Sequence, residues 1–298
     1  MRLTFNADCR NAMADLERAA TELATWQRAV SSGRRLHVAS DDPAATARAI
    51  NERSTIGSID QYARAVDSVG SRLTIVDTVL SDIITRITNA RATAASARGS
   101  VPTDSQRETA ARALREVRDD LQSDLNFKFR GIHLFAGSAT TRTPYVSMSD
   151  GTVSAYQGDS VAVSVDVDHG RSLRVTFDGQ VLAKGTEAED VFVVLDQLAE
   201  AVRNADQDGI SAGLEALERA FDRAVAFQSA IGTALASLGD QALRLSSLKQ
   251  ASTALVSKDE DANMAEAISK MTQAETAYRA ALSAVGSRTN LTLLDYLR

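Results

Sequence analysis

The three histidines are the side chains best suited to metal binding or proton transfer. His37, His133 and His169 stand far apart, and no two have the spacing of three or four residues that places both on one helix face. His169 lies in an Asp-His-Gly turn signal, where a polar side chain needs no catalytic role. We therefore expect no metal centre and no cofactor.

Two other motifs suited to chemistry are incomplete. Cys9 is the only cysteine, so no disulfide can form within the chain, and its place on an apolar stripe indicates packing. Lys184-Gly185-Thr186 resembles the end of a phosphate-binding loop but lacks the upstream glycine, which favours a linker. Most carboxylates fall on outer helix faces, whereas catalytic acids need a pocket. These patterns predict a protein that is not an enzyme.

Composition narrows the class of partner. The 298 residues carry a net charge of −6, which argues against a dedicated nucleic-acid binder. Arg112, Arg115 and Arg118 share one helix face and favour a solvated stripe. The sequence contains no apolar run of membrane-spanning length and no signal-peptide pattern at its start. We expect no membrane contact, and a cytoplasmic location unless a signal-independent export route is used.

Hydrophobic periodicity predicts two long helices that would position any site. Each shows eleven apolar or small positions at alternating three- and four-residue spacing, with Gln228 as a polar exception. The first seam comprises Ile59, Tyr62, Val66, Val69, Leu73, Val76, Leu80, Ile83, Ile87, Ala90 and Ala94. The second comprises Ile210, Leu214, Leu217, Phe221, Ala224, Gln228, Ile231, Leu235, Leu238, Ala242 and Leu245. Gln228 and Lys249 either fix the register of the pair or mark an exposed part of the seam.

Helix-end signals set the remaining elements. A first helix over about residues 4–31 ends at Ser32-Gly33, and a second begins at Asp42-Pro43. A third follows the N-cap near Asp104, and residues 257–261 form a polar break before the last helix. Between residues 143 and 185 the period changes to two, which predicts β-strands.

The predicted fold is mainly α. We expect an elongated antiparallel helical hairpin, or coiled-coil rod, with paired terminal helices and a small inserted β domain. The expected domains are a terminal coiled-coil core (1–40 and 260–298), a long-helix rod (41–142 and 186–259) and an outward β domain (143–185).

Both chain ends resemble those of bacterial flagellins and hook-associated proteins. Residues 23–36 and 39–44 resemble the N-terminal signature of this family, and residues 262–275 resemble its C-terminal signature. Two shorter segments, Leu134-Phe135-Ala136-Gly137 and Leu294-Asp295-Tyr296-Leu297, resemble a junction protein of the family. Flagellins usually end without the Asp-Tyr pair.

The resemblance implies a structural subunit of the flagellum, exported through the flagellar type III apparatus and secreted without a signal peptide. It implies self-assembly in a tubular ring at the hook–filament junction, with hook-associated protein 1, flagellin and an export chaperone as partners. A flagellin, or a secreted non-flagellar coiled coil, remains an alternative. The expected assembly interface comprises Leu16, Leu23, Trp26, Val30, Met264, Ile268, Met271, Tyr278, Leu282, Leu294, Tyr296 and Leu297.

Overall fold

A computed structural model describes the backbone of residues 2–99 and 103–296, and the side chains of residues 10–98 and 103–286. Over these ranges the chain is mainly α, as predicted. Its helices are α1 (Arg2–Ser32), α2 (Pro43–Gly99), α3 (Asp104–Leu125), α4 (Gly179–Ala183), α5 (Val191–Arg203), α6 (Gln207–Glu260) and α7 (Met264–Tyr296). Two antiparallel two-stranded sheets pair β1 (Lys128–Phe129) with β2 (Ile132–His133), and β3 (Ser164–Asp168) with β4 (Arg171–Arg174).

The predicted helix ends are confirmed around the first linker. Gly33 follows α1 with φ +70°, a left-handed conformation that glycine adopts without a steric penalty. Pro43 begins α2, and the Asp42 carboxylate accepts a 3.0 Å hydrogen bond from the backbone N–H of Ala45. At α3, Thr103 and Gln106 form a reciprocal capping box.

The seam on α2 is confirmed. Of its eleven positions, all except the half-buried Tyr62 are buried. On α6 the buried positions include Ile210, Leu217, Ala224, Ile231, Leu238 and Leu245. The prediction for Ala242 is wrong: it is exposed, and Gln241 is buried at 3% exposure. The alternation of steps through Leu235, Leu238 and Leu245 predicts Ala242, whereas Gln241 follows Leu238 by a second consecutive step of three, so spacing favoured the wrong residue. Gln228 is half-buried and Lys249 exposed.

The chain divides into two compact units, residues 1–59 with 247–298 and residues 60–246. The second unit is centred on a small apolar cavity to which five helices contribute. Its lining consists of Ile83, Ile87, Leu121, Leu125, Leu182, Ala183, Val191, Ala220 and Ala224. Charged pairs join the helices around it. Arg115 lies 2.7 Å from Glu200 and Arg118 lies 2.5 Å from Asp196, so two members of the expected solvated stripe tie α3 to α5.

Residues 143–185 fall within the second unit and share side-chain contacts with its helices. The Tyr145 ring lies 4.9 Å from that of Phe192, and the Phe177 ring lies 5.3 Å from that of Phe227. Regular strand structure is confined to β3 and β4, and the apolar alternation that precedes β3 is irregular backbone. Only the β3–β4 hairpin is thus a regular β element of this segment.

The apolar segment that follows β2 is a packed turn. Leu134, Phe135 and Ala136 are each 0% exposed. Gly137 has φ +64°, and a Cβ placed there would lie 2.0 Å from the backbone oxygen of Asp159. Both observations require glycine at this position.

The predicted polar break over residues 257–261 is wrong for its first four members. These residues remain helical, since α6 continues through Glu260 and only residues 261–263 separate it from α7. Within the described part of the chain, no helix combines the length and the apolar character needed to cross a lipid bilayer.

Candidate assembly site

The first unit contains the paired terminal helices, which carry most of the expected interface. α1 packs against α7. The linker after α1 meets the linker before α7, because the N–H of Ala262 donates to the carbonyl of Gly33 at 2.9 Å. The N–H of Arg35 likewise donates to the carbonyl of Glu260 at 2.7 Å. The end of α1 therefore lies beside the start of α7, and the two helices run antiparallel, as predicted.

Ion pairs reinforce this junction of linkers. Arg48 of α2 binds the carboxylate of Asp259, and Arg53 lies 2.5 Å from Glu260, which is 8% exposed. The guanidinium of Arg35 donates to the carbonyl of Asp259 at 2.8 Å. The pKa of Asp259 is lowered because Arg48 donates hydrogen bonds to its carboxylate. The end of α6 is thus fixed to the start of α2.

The first linker is itself ordered by two carboxylates. Asp41 accepts hydrogen bonds from the backbone N–H groups of His37 and Val38, at 2.9 and 3.0 Å. These bonds lower the pKa of Asp41, and the bond from Ala45 lowers that of Asp42. The side chain of Ser32 lies 2.9 Å from Nε2 of His37. The linker is consequently a defined turn.

The contact between α1 and α7 is centred on small side chains. Ala29, Ala267 and Ala274 are buried at 5%, 1% and 4% exposure. The larger predicted interface residues on this side are only half-buried: Leu16, Leu23, Trp26, Val30, Met271 and Tyr278. A two-helix pair of this kind has a thin core, because each helix covers only one face of the other.

A second group of predicted interface residues on α7 is more exposed. Met264, Ile268 and Leu282 of α7 are 41%, 48% and 52% exposed. The predicted interface residues of α7 are therefore divided into a half-buried group against α1 and an exposed group. The apolar arc of α7 is wider than one partner helix covers, which a three-four pattern does not show. The side chains of Leu294 and Tyr296, and all of Leu297, lie outside the described residues.

A cavity of about 220 Å³ lies beside Trp26, where the end of α1 meets the start of α7. Its lining includes Arg28, Asp41, Asn263 and Glu266. Charges of both signs therefore surround the indole ring.

A larger groove of about 740 Å³ lies between α5 and α6 in the second unit. Three of its five carboxylates pair with arginines. Glu187 lies 3.1 Å from Arg219, while Asp196 and Glu200 bind the α3 arginines described above. These acids hold helices together in an arrangement unlike a catalytic pair, in which one acid stays free to exchange a proton.

Two of the histidines considered for metal binding or proton transfer lie in surroundings that suit a structural role. His133 is 1% exposed, its Nδ1 lies 2.7 Å from the carbonyl of Asn126, and burial lowers its pKa. His169 occupies the turn between β3 and β4, as predicted. Among the described residues, no three His, Cys, Asp or Glu side chains form a group that could hold a metal ion.

Sequence reasoning missed the arginines of the linker junction. Arg48 and Arg53 lie early in α2, and their partners Asp259 and Glu260 lie at the end of α6. The available signal was the pair of consecutive acids, Asp259 and Glu260, beside a predicted helix end. These acids were interpreted as part of a polar break, and their ion pairs were therefore missed. Pairing of the terminal helices would have placed those acids near the start of α2.

Comparison with known proteins gives a consistent result. Residues 5–140 match the family model described as the bacterial flagellin N-terminal helical region. Flagellar hook-associated protein 3 of Salmonella typhimurium is 25% identical over 238 residues, which cover 74% of this chain and 73% of the relative. The Escherichia coli protein of the same name is 25% identical over 281 residues, covering 84% and 86%.

Solved structures share the fold. A putative flagellar hook-associated protein from Vibrio parahaemolyticus superposes with a TM-score of 0.70 at 20% identity, covering 74% of this chain and 100% of that one. The flagellar junction protein FlgL from Legionella pneumophila gives 0.63 at 14% identity, covering 72% and 100%. The chain is thus similar to bacterial flagellins over its N-terminal helical region. Over most of its length it is similar to flagellar hook-associated protein 3.

Proposed function

We propose that this chain is a structural subunit of the bacterial flagellum at the hook–filament junction, between hook-associated protein 1 and flagellin. Its similarity to two proteins named flagellar hook-associated protein 3 supports this role. The work of such a subunit is to bind its neighbours, and no catalytic step enters the proposal. The flagellum is accordingly its proposed location.

One observation carries the proposal: the exposed aliphatic residues on α7. Met264, Ile268 and Leu282 are each about half exposed on a helix that also packs against α1. Burying such partly exposed side chains contributes on the order of 1 kcal/mol each. Contacts repeated around a ring would add these contributions and offset the cost of ordering the helices.

The terminal segments, residues 1–40 and 260–298, are the proposed assembly domain. We assign the contact with neighbouring subunits to the exposed α7 residues. The distance between α1 and α7 would be set by the half-buried residues of the pair: Leu16, Leu23, Trp26, Val30, Met271 and Tyr278. Leu294, Tyr296 and Leu297 continue this interface in the proposal. Residues 143–185 would face outward.

Export would precede assembly. The proposed subunit passes through the flagellar type III apparatus with the help of an export chaperone. A thin α1–α7 core supports this step, because a helix pair with few fully buried side chains costs little to unfold.

The test is a deletion strain of the source bacterium. Without this chain, cells should retain hooks but release flagellin into the medium, and reintroducing the chain should restore filaments. Immunogold labelling should place the chain at a single band between hook and filament. Labelling along whole filaments would make the chain a flagellin, and normal filaments in the deletion strain would favour a non-flagellar coiled coil.

A further inference from the structure

A second exposed apolar surface lies on α6 in the first unit. Leu248 and Leu255 are each 48% exposed and seven residues apart, so they lie on the same side of the helix. Lys258 follows Leu255 by three residues and is also exposed. Leu248, Leu255 and Lys258 are called the α6 face below. It carries two aliphatic side chains and one positive charge.

The exposed part of α7 has the opposite charge. Met264, Ile268 and Leu282 lie along one side of the helix, and Glu275 stands seven residues from both Ile268 and Leu282. These four residues are called the α7 flank below. The Glu275 side chain is 44% exposed, and its in-chain partner is the largely exposed Arg279 at 2.5 Å. An exposed pair of this kind contributes little, so Glu275 can exchange its partner at low cost.

A ring of identical subunits needs two different, complementary surfaces on each chain. Each subunit presents one surface to the neighbour ahead and the other to the neighbour behind. The α6 face and the α7 flank meet this requirement. Both belong to the first unit, both carry exposed apolar side chains, and Lys258 on one has the opposite charge to Glu275 on the other. Charge complementarity of this kind sets partner and register.

We propose that the α7 flank of one copy docks on the α6 face of the next copy. In this contact Met264 and Ile268 cover Leu248 and Leu255, and the Glu275 carboxylate lies beside the Lys258 ammonium. The inference rests on the proposed function only in that copies of this chain assemble with one another.

Cysteine cross-linking tests the contact directly. Cys9→Ala removes the only cysteine and provides the parent. Leu255→Cys and Ile268→Cys variants of this parent are co-produced in the deletion strain, and isolated flagella are oxidised. We expect a dimer that joins position 255 to position 268. The matched control uses Leu243→Cys in place of Leu255→Cys. Leu243 is 71% exposed but lies about 140° around α6 from Leu248.

Charge exchange provides an independent measurement in otherwise native chains. Lys258→Glu or Glu275→Lys alone should lower incorporation into flagella by roughly fivefold, since like charges would face each other. The double variant should recover most of the loss, because the pair is restored with its signs exchanged.

Two results overturn the contact while leaving the proposed function intact. One is incorporation of the cysteine variants into flagella with no dimer between positions 255 and 268, or with as much control dimer between positions 243 and 268. The other is a double charge variant that incorporates no better than the single variants. Absence of the parent from flagella would instead overturn the proposed function, and this contact with it.

Discussion

Arg48 donates two hydrogen bonds to Asp259: its Nη2 lies 2.7 Å from Oδ1 and its Nε lies 3.1 Å from Oδ2. The two residues lie near the start of α2 and the end of α6. Both linkers to the terminal helices begin within a few residues of this pair. The Arg48–Asp259 contact therefore fixes the point from which α1 and α7 leave the rest of the unit.

Removing the guanidinium should loosen the linkers. In Arg48→Met, the N–H groups of Arg35 and Ala262 should exchange with deuterium faster, because both hydrogen bonds join the first linker to the segment that Arg48 holds through Asp259. Hydrogen-exchange mass spectrometry would measure this. Arg18→Met, which removes an exposed pair within α1, is the control and should leave both amides unchanged. Unchanged exchange in Arg48→Met would contradict a role for the pair.

Acid should loosen the same linkers. The pKa values of Asp41, Asp42 and Asp259 are lowered in the fold, so their contribution is complete above the ordinary aspartate pKa of 3.8. It is lost as the pH falls through the lower folded values, where the bound carboxylates become protonated. Amide protection of residues 33–42 should fall in that range, after correction for intrinsic exchange. Protection that stays constant from pH 5 to about pH 2 would refute the assignment.

The exposed α7 residues should matter for assembly and little for folding. Ile268→Asp or Leu282→Asp should change the free energy of unfolding by less than about 0.5 kcal/mol, because both sites are half exposed. Each should abolish incorporation into flagella. Urea unfolding followed by circular dichroism, and immunoblots of isolated flagella, provide the two measurements. Ala274→Asp is the contrasting control, since it buries a charge between α1 and α7 and should separate them.

The terminal helices should be cleaved before the second unit. Their pairing buries mainly alanines, whereas the second unit buries large side chains such as Tyr145, Phe192 and Leu195. Limited proteolysis of the purified monomer should remove residues within 1–40 and 260–298 first and leave a resistant fragment. Equal protection of the ends in a proven monomer would contradict the thin core.

Gly137 should tolerate no side chain. Gly137→Ala places Cβ 2.0 Å from the Asp159 backbone oxygen at φ +64°, and should cost several kcal/mol of unfolding free energy. Gly151→Ala is the matched control, because Gly151 also has a positive φ (+83°) but open space around it. It should cost only about 1 kcal/mol. Equal losses in the two variants would show that backbone strain, and not the close contact, requires Gly137.

Local signals in the sequence were sufficient for the helix ends around the first linker. Gly33, Asp42 and Pro43 each act on the backbone within a few residues, so their effects do not depend on the rest of the fold. The buried positions of the α2 seam could also be predicted from the sequence, because ten of them lie in one continuous helix. On α6 the alternating spacing favoured Ala242, and only tertiary packing selects Gln241 over it.

Only part of the candidate assembly site could be predicted from the sequence. The apolar pattern of α7 marks residues that prefer contact, but it does not say which partner covers them. Met271 and Tyr278 face α1, whereas Ile268 and Leu282 stay exposed. The ion pairs of the linker junction join residues more than two hundred positions apart, as Arg48 and Asp259 do. Such pairings follow from the fold and leave no periodic signal.

Trp26, beside the cavity between the ends of the terminal helices, is the only tryptophan in the chain. Its fluorescence therefore comes from a single known position, half-buried against α7, with no tryptophan background from the second unit. A change in its emission on mixing with hook-associated protein 1 or flagellin would report on the α1–α7 pair alone. The protein thus contains its own optical label for the segment that we propose forms the junction.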